Sequence, residues 1–244
     1  MTKRLTEVLS VGLVRFILAR HKMIRNKYMK TTLIFGNFLA AQKMRFGSSP
    51  NVETFKPKLY KYERGREMVE IRKAVAADAE KILNYCKVVG AESDNLTFGA
   101  EGVSITIEKE REYLESILHS NKQLYLVAVD NNEIVGTAVF SSFVKARLAH
   151  RAEISISVKK SMWGRHIGTR FMEQLVDFAK NVAKTEIISL EVRSDNERAI
   201  ALYEKFGFQK VGRFDGFMKI DGNYVSCDIM ALSLTENICR GEIR

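Results

Sequence analysis

The chain has 244 residues, of which 46% are apolar and 28% are charged, and this supports one globular core with a modest extra segment. Its three cysteines, Cys86, Cys227 and Cys239, are odd in number and widely separated. They show no metal spacing and fit a reducing cytoplasm. The net charge of +10 raises nucleic acid or an anionic membrane as partners, so its location along the chain matters.

The excess positive charge lies entirely in residues 1–67. This segment carries 15 Lys and Arg side chains against 4 Glu, whereas the rest of the chain carries 24 basic and 25 acidic side chains. The apolar stretch from Leu5 to Ala19 contains Arg15 and is too short to span a bilayer. The leader is open to four interpretations: a membrane-surface helix, a nucleic-acid arm, a transit-like segment, or a segment without function.

The residues just before Met68 favour the last of these interpretations. Each residue from Glu63 to Glu67 can be encoded by purines alone, which is how a bacterial ribosome-binding site would read if it were translated. We therefore expect the native start at Met68, and we divide the chain into a basic extension (1–67), a folded domain (68–236) and a C-terminal tail (237–244). Nucleic acid or a membrane is then a partner only if the leader is present and functional.

After Met68, the periodicity of apolar residues predicts alternating strands and helices. A Gly-bearing polar loop, residues 92–102, separates the first two helices, and its acidic side chains Glu92 and Asp94 could attract an amine or simply be solvated. The elements predicted around this loop are a strand (71–75), a helix from Asp78 to about Val88, a helix near 107–118, a hairpin (124–129 and 134–140, with its turn at Asp130–Glu133), and a closing antiparallel pair (209–214 and 224–234).

The stretch from Ile154 to Phe208 organises the rest of the chain. Apolar and polar residues alternate up to Val158, which predicts a strand, and an apolar stripe at helical spacing follows at Ile167, Phe171, Leu175, Phe178 and Val182. The turn between them holds Gly164, and it leads into a helix whose first N–H groups are unpaired. This turn would suit a pyrophosphate, or it could be a loop packed tightly on the sheet. We expect His166, in the same turn, to adopt helical dihedral angles and to assist an anion when protonated.

Two motifs in this stretch resemble the GNAT N-acetyltransferases. The segment Trp163–Thr169 resembles their acetyl-CoA loop, Gln/Arg-x-x-Gly-x-Gly/Ala, although Trp163 and His166 depart from that pattern. The segment Asn196–Phe208, which reads NERAIALYEKFGF, resembles the next signature, Asn-x-x-A-I-x-L-Y-E-K-x-G-F. The resemblance implies an α/β fold in which a mixed seven-stranded sheet, splayed at its centre, carries helices on both faces. It also implies a bacterial, cytoplasmic enzyme that uses acetyl-CoA and no metal.

The resemblance further implies which residues bind acetyl-CoA. The backbone of Ile156 and Val158 would pair with the pantetheine arm as an added strand would. Asn196 would bond the same arm, and it could equally cap the helix that begins at Glu197. The full implied set is Ile156, Val158, Trp163, Gly164, Arg165, His166, Ile167, Gly168, Thr169, Asn196, Ala199 and Tyr203.

Acetyl transfer to an amine needs a base for the amine and an acid for the departing sulfur. Tyr203 matches the tyrosine that the family uses as the acid, although its spacing also suits a half-buried helix residue. Glu191 matches the base of the branch that acetylates protein N-termini, and it could instead be a solvated partner of Arg193. Glu153, one strand earlier, is the rival base. We expect direct attack in a ternary complex, because Cys86 and Cys227 lie far in sequence from the motifs.

Other functions remain open at this stage. The acceptor could be a protein N-terminus or a small amine, and the chain could form a homodimer. A non-catalytic acetyl-CoA-binding regulatory module is the alternative that the departures at Trp163 and His166 suggest. A third possibility is that the basic leader docks the enzyme on nucleic acid or a membrane.

Overall fold

We describe the protein from a computed structural model, which covers residues 69–235. The predictions for the leader (1–67), for a start at Met68 and for the tail (237–244) lie outside these residues, as does Cys239. Among residues 69–235, no helix is both long and apolar enough to cross a bilayer.

The predicted mixed seven-stranded sheet is confirmed. Its strand order is β1-β2-β3-β4-β5-β7-β6, and every neighbouring pair is antiparallel except β4 and β5, which are parallel. The strands are β1 (Glu70–Lys73), β2 (Gln123–Asp130), β3 (Glu133–Ser142), β4 (Arg151–Val158), β5 (Ile187–Arg193), β6 (Gln209–Ile220) and β7 (Asn223–Ser233). The helices are α1 (Ala79–Glu92), α2 (Ile107–Ile117), α3 (Ile167–Phe178) and α4 (Glu197–Lys205).

The two faces of the sheet carry different helices, because alternate side chains of a strand point to opposite faces. Phe178 of α3 packs edge-on against Phe140 of β3, whose Cα partner in β4 is Ile154. Tyr85 of α1 instead bonds Ser157, which lies on the other face of β4. Helix α3 therefore covers one face, with Leu202 of α4 against its Gly168, and α1 covers the other face. Phe140, Phe171 and Phe178 are fully buried, each contributing about 1.5–3 kcal/mol of transfer free energy.

The central parallel pair is short. Strands β4 and β5 pair at three positions, the last of which is Glu153 with Ser189. Beyond that position β4 continues to Val158 and β5 continues to Arg193 without further pairing to each other. The sheet therefore opens into a gap at the carboxyl ends of its two middle strands, and the predicted central splay is confirmed.

The first strand is tied to the first helix by a buried carboxylate. The Arg72 guanidinium donates two hydrogen bonds to Asp78, at 2.6 and 2.8 Å, and the Val75 N–H donates a third at 2.9 Å. Desolvation raises the pKa of Asp78, but the hydrogen bonds from Arg72 and Val75 outweigh it and leave the pKa below the ordinary value of 3.8. This arrangement fixes the angle at which α1 leaves the sheet.

The turn predictions hold because each turn has a residue suited to the left-handed region. Asn131 and Asn132 have φ of 46° and 65° in the β2–β3 turn, and Gly207 has φ of 89° at the end of α4. Asp221 and Gly222 form the β6–β7 turn in the same way, with φ of 48° and 83°.

Two helix boundaries differ from the sequence prediction. Helix α1 extends to Glu92 rather than to Val88. Helix α3 ends at Phe178 and continues as a π-helical turn over Ala179–Ala183. Because a π-turn shifts the hydrogen bonds by one residue, the buried stripe ends at Ala183, which is fully buried, instead of at the half-buried Val182.

Candidate active site

The open end of β4 presents backbone groups to the gap. The Lys159 N–H donates to the Val135 carbonyl of β3 at 2.9 Å. Since the two polar groups of one peptide point in opposite directions, the Val158 carbonyl points to the β5 side. Along β4 the orientation alternates, so the N–H and carbonyl of Ile156 face the same gap. An extended molecule that carries amide groups can therefore bind here as a partial extra strand.

The turn after β4 has an unusual backbone. Gly164 has φ of 79° and His166 has φ of 58° and ψ of 14°, both in the left-handed region. The expectation of helical dihedral angles for His166 was therefore wrong. A left-handed residue is needed here to turn the chain into α3, and histidine occupies this region more readily than most non-glycine residues. A backbone atom at Gly164 can be approached closely, because a Cβ there would meet nothing within 4 Å.

The turn delivers the chain to the first residues of α3. Ile167 is buried and anchors the helix start, while Arg165 and Thr169 are half-buried beside it. Gly168 lies against Leu202 of α4, since a Cβ at Gly168 would come 3.1 Å from its Cδ2 atom. Close packing of α3 on α4 thus brings both predicted motifs to one end of the gap.

Trp163 connects the two motifs directly. Its indole N–H donates to the Val158 carbonyl at 2.9 Å. The guanidinium of Arg198, from α4, lies over the indole ring at 4.4 Å from the centroid, which is cation–π geometry. Trp163 is 39% exposed, so this contact lies at the surface of the gap.

Helix α4 supplies the other predicted residues. The Asn196 side chain accepts a hydrogen bond from the Ala199 N–H at 3.2 Å, so the predicted helix cap is present. Tyr203 is buried against Phe208, and burial raises the pKa of its phenol to about 12. Among residues 69–235 its hydroxyl makes no hydrogen bond.

The stretch that contains this gap, turn and helix matches a known protein family. The segment 94–208 matches the acetyltransferase (GNAT) family. Residues 94–208 form a GNAT domain. The resemblance of the two motifs is thereby confirmed at the level of the family.

Two curated relatives are similar to the GNAT domain. The N-alpha-acetyltransferase RimI of Mycobacterium tuberculosis is 34% identical over 98 residues, which is 40% of this chain and 60% of that protein. The L-amino acid N-acetyltransferase AaaT of Escherichia coli is 28% identical over 106 residues, 43% of this chain and 65% of that protein. The chain therefore spans less than two thirds of the length of either relative.

Solved structures share the fold. The Salmonella typhimurium protein yncA, solved with its cofactor acetyl-CoA, superposes with a TM-score of 0.60 at 19% sequence identity, covering 69% of this chain and 95% of that one. At this level of identity the similarity supports the GNAT fold alone.

The two candidate bases lie on the sheet face opposite α3. Glu153 is the Cα partner of Ser189, and Glu191 lies two residues further along β5, so both carboxylates point to the face of α1. Glu153 marks the last paired position, whereas Glu191 lies beyond it, beside the gap. Burial, and then the nearby negative charge of Glu191, raise the pKa of the Cys227 thiol to about 11. The Arg193 guanidinium, on the same face, donates two hydrogen bonds to the Asp195 carboxylate at 2.7 and 2.6 Å.

The loop between α1 and α2 touches both sides of the gap. The Glu92 carboxylate accepts the Lys160 N–H at 2.9 Å, just after β4, and Arg193 at the end of β5 donates to the Asp94 carbonyl at 3.3 Å. Gly90 allows the loop to lie on α1, because a Cβ there would collide with the Gly99 carbonyl. The acidic side chain of Glu92 therefore positions this loop in addition to any role with an amine.

Sequence reasoning missed three contributors to the site. Arg198 lies inside the second motif, but only the folded chain shows that it stacks on Trp163. Gly90 appears in the sequence as an ordinary helix glycine. Asp228 holds Ser194, two residues before Asn196, through a 2.7 Å hydrogen bond, and it also pairs with Lys210. Its position in the middle of β7 gives no such indication, because the contact joins residues 34 apart in the chain.

Proposed function

We propose that this protein transfers acetyl from acetyl-CoA to a primary amine by direct attack in a ternary complex. The observation that carries the proposal is the gap between β4 and β5, which ends at the turn before α3. This gap offers strand-like backbone groups to an amide-containing arm and unpaired helix N–H groups to phosphates.

The residues of the chain fit acetyl-CoA in three places. Ile156 and Val158 would bind the pantetheine arm through their backbone. The pyrophosphate would bind at the first turn of α3, since the N-terminal end of a helix favours negative charge. This turn runs from His166 to Thr169 and follows Gly164 and Arg165. Asn196, Ala199 and Tyr203 would line the side of α4. In this site the chain would hold the thioester carbonyl in the gap, accessible from the α1 face.

Two proton transfers are needed, and we assign one to Glu191 and the other to Tyr203. Glu191 is proposed to accept a proton from the amine, whose nitrogen forms a bond to the thioester carbon. As the carbon–sulfur bond breaks, the Tyr203 hydroxyl provides the proton that the sulfur needs, and the products are an amide and CoA thiol. Because the pKa of Tyr203 is about 12, the phenol holds this proton at neutral pH. Holding amine and thioester together supplies much of the rate.

A direct attack also suits the state of the nearby thiol. Cys227 is buried, and a thiol with a pKa near 11 is almost wholly protonated at neutral pH. The thiolate is the nucleophilic form, so an acyl-enzyme on Cys227 is disfavoured. Cys86 is buried in α1 and likewise is not in a disulfide.

The acceptor is proposed to be a protein N-terminus or a small amine, and the proteins named above suggest one of each kind. Two carboxylates on the acceptor face, Glu153 and Glu191, favour a cationic ammonium group. Arg193, which lies on that face two residues after Glu191, is already paired with Asp195, and this disfavours it as a partner for the carboxylate of a free amino acid.

The proposal is tested by thiol release from acetyl-CoA in the presence of a peptide with a free N-terminus, a free amino acid or a polyamine. We expect turnover with at least one of them, most strongly with the peptide. Glu191→Gln should then lower kcat by about a hundredfold or more with little change in acetyl-CoA affinity. Glu153→Gln is the matched control, expected to keep most of kcat. The opposite result would assign the base to Glu153.

A non-catalytic acetyl-CoA-binding module is the second candidate. It is favoured by the hydrogen bond from Trp163 to the Val158 carbonyl, which occupies part of the cofactor site. It predicts acetyl-CoA binding by calorimetry and no turnover with any acceptor, so Tyr203→Phe would have no effect.

A further inference from the structure

The Trp163 indole occupies a hydrogen-bond acceptor that the gap would otherwise offer to a ligand. The Val158 carbonyl is the last group of β4 on the gap side, because the Lys159 N–H of the same peptide points back to β3. The indole N–H donates to this carbonyl at 2.9 Å. A backbone acceptor at the end of an unpaired strand edge is therefore filled from within the chain.

The same indole also closes the gap from one side to the other. Trp163 belongs to the segment that follows β4, whereas Arg198 belongs to the helix that follows β5. Their stacking at 4.4 Å thus joins the two sides of the gap at its outer end. Exposed contacts of this kind are weak, of order 0.5–1 kcal/mol for a cation–π pair, so a ligand can break them.

We propose that Trp163 is a gate on the cofactor site, and that the pantetheine arm of acetyl-CoA displaces its indole from the Val158 carbonyl. This inference rests on the proposed function, because it assumes that acetyl-CoA binds in the gap. The gate lowers the affinity for acetyl-CoA, because the hydrogen bond from the Trp163 indole to the Val158 carbonyl must break before the ligand can form its own bond to that carbonyl. A ligand that carries phosphates but has no amide-bearing arm does not compete for the carbonyl and should leave the indole in place.

The chain provides its own reporter for this displacement. Trp163 is the only tryptophan among the 244 residues, so intrinsic indole emission comes from this side chain alone. When the indole leaves the carbonyl and the Arg198 guanidinium, its surroundings change, and the emission maximum and its quenching by iodide should change with them.

The test uses the full chain and two measurements. Indole emission is followed while acetyl-CoA is added, and then while adenosine 3′,5′-bisphosphate, which lacks the pantetheine arm, is added. Acetyl-CoA should change the emission in a saturable way and the bisphosphate should not. An equal change with the bisphosphate would overturn the gate, because phosphate binding alone would then move the indole.

The second measurement is calorimetric affinity for acetyl-CoA in the wild type and in Trp163→Phe. Phenylalanine keeps a ring for Arg198 but has no N–H, so the variant should bind acetyl-CoA about threefold to tenfold more tightly. Exposed Val144→Ala, between β3 and β4, is the control and should bind as the wild type does. Equal or weaker binding by a folded Trp163→Phe protein would overturn the gate alone.

The outcomes also separate the gate from the proposed function. If acetyl-CoA binds both proteins and binds Trp163→Phe more tightly, the gate is supported. If neither protein binds acetyl-CoA, both the gate and the proposed function are overturned. If the wild type binds and turns over while Trp163→Phe shows no gain in affinity, the function stands and the gate does not.

Discussion

Replacing His166 by glycine should make the protein more stable, although it removes a side chain. At φ of 58° an L-residue carries a strain of roughly 1–2 kcal/mol that glycine does not. Glycine loses more freedom on folding, which offsets about 0.5–1 kcal/mol of this gain. The net expectation is a stabilisation of about 0.5–1 kcal/mol, or a Tm rise of about 1–4 °C for a chain of this size.

The assay is urea unfolding followed by circular dichroism, with thermal unfolding as a second measurement. His166→Ala removes the same imidazole without relieving the backbone, so it should not stabilise. Glu173→Gly places glycine at an exposed position inside α3, where the backbone is helical, and should cost about 1 kcal/mol. These two variants separate the backbone effect at residue 166 from the loss of a side chain and from glycine itself.

A destabilised His166→Gly protein would refute this reasoning. It would mean that the imidazole makes contacts worth more than the strain, or that the turn does not hold the left-handed conformation in solution. A stabilised protein that also binds acetyl-CoA normally would show that the histidine is tolerated at the turn rather than required by it.

Three further predictions concern the ends of α4 and the start of α1. Tyr203→Phe should lower kcat at least a hundredfold, with acetyl-CoA affinity within about twofold of the wild type. The protonated phenol is the active form and its pKa is about 12, so Tyr203 should cause no alkaline loss of activity below that pH. Such a loss in the wild type alone would contradict this role. Asn196→Ala removes the cap on the Ala199 N–H and should cost about 1 kcal/mol in urea unfolding, and an unchanged midpoint would show that the cap is dispensable. Asp78→Asn should cost about 1.5–3 kcal/mol at pH 7, since it weakens the grip of Arg72. The folded pKa of Asp78 is lowered, so this stability is present above pH 3.8 and is lost as the pH falls through the folded value. Wild type and variant should therefore converge as the pH falls further below 3.8, and a difference that does not shrink on acidification would rule out the carboxylate charge as the cause.

The order of strands and helices could be predicted because local signals agree with the fold. Asn131 and Asn132 form the β2–β3 turn, and Gly207 ends α4, so a few neighbouring residues determine each boundary. The motif from Asn196 to Phe208 also placed the cap and Tyr203 correctly on one helix. These features depend on nearest neighbours, which a sequence shows directly.

The parts that could not be predicted depend on contacts between distant residues or on a choice of backbone region. His166 could adopt either helical or left-handed angles, and only the exit of the chain from β4 decides between them. The cation–π contact of Arg198 with Trp163 joins residues 35 apart in the chain. The hydrogen bond from the Lys160 N–H to the Glu92 carboxylate joins residues 68 apart. The π-turn after Phe178 likewise arises from packing, because the apolar spacing alone favoured a continuous α-helix to Val182.

The short seam between β4 and β5 divides the sheet into two leaves, β1–β4 and β5–β7–β6, each held by longer antiparallel pairing. Protein regions joined by few hydrogen bonds tend to open as separate cooperative units. Hydrogen exchange should therefore show two protection levels, with the amides of Ile156 and Val158 among the fastest to exchange in β4. A ligand that lies along the open edge of β4 would join the two leaves. Its binding should therefore slow the hydrogen exchange of backbone amides in strands that the ligand does not contact.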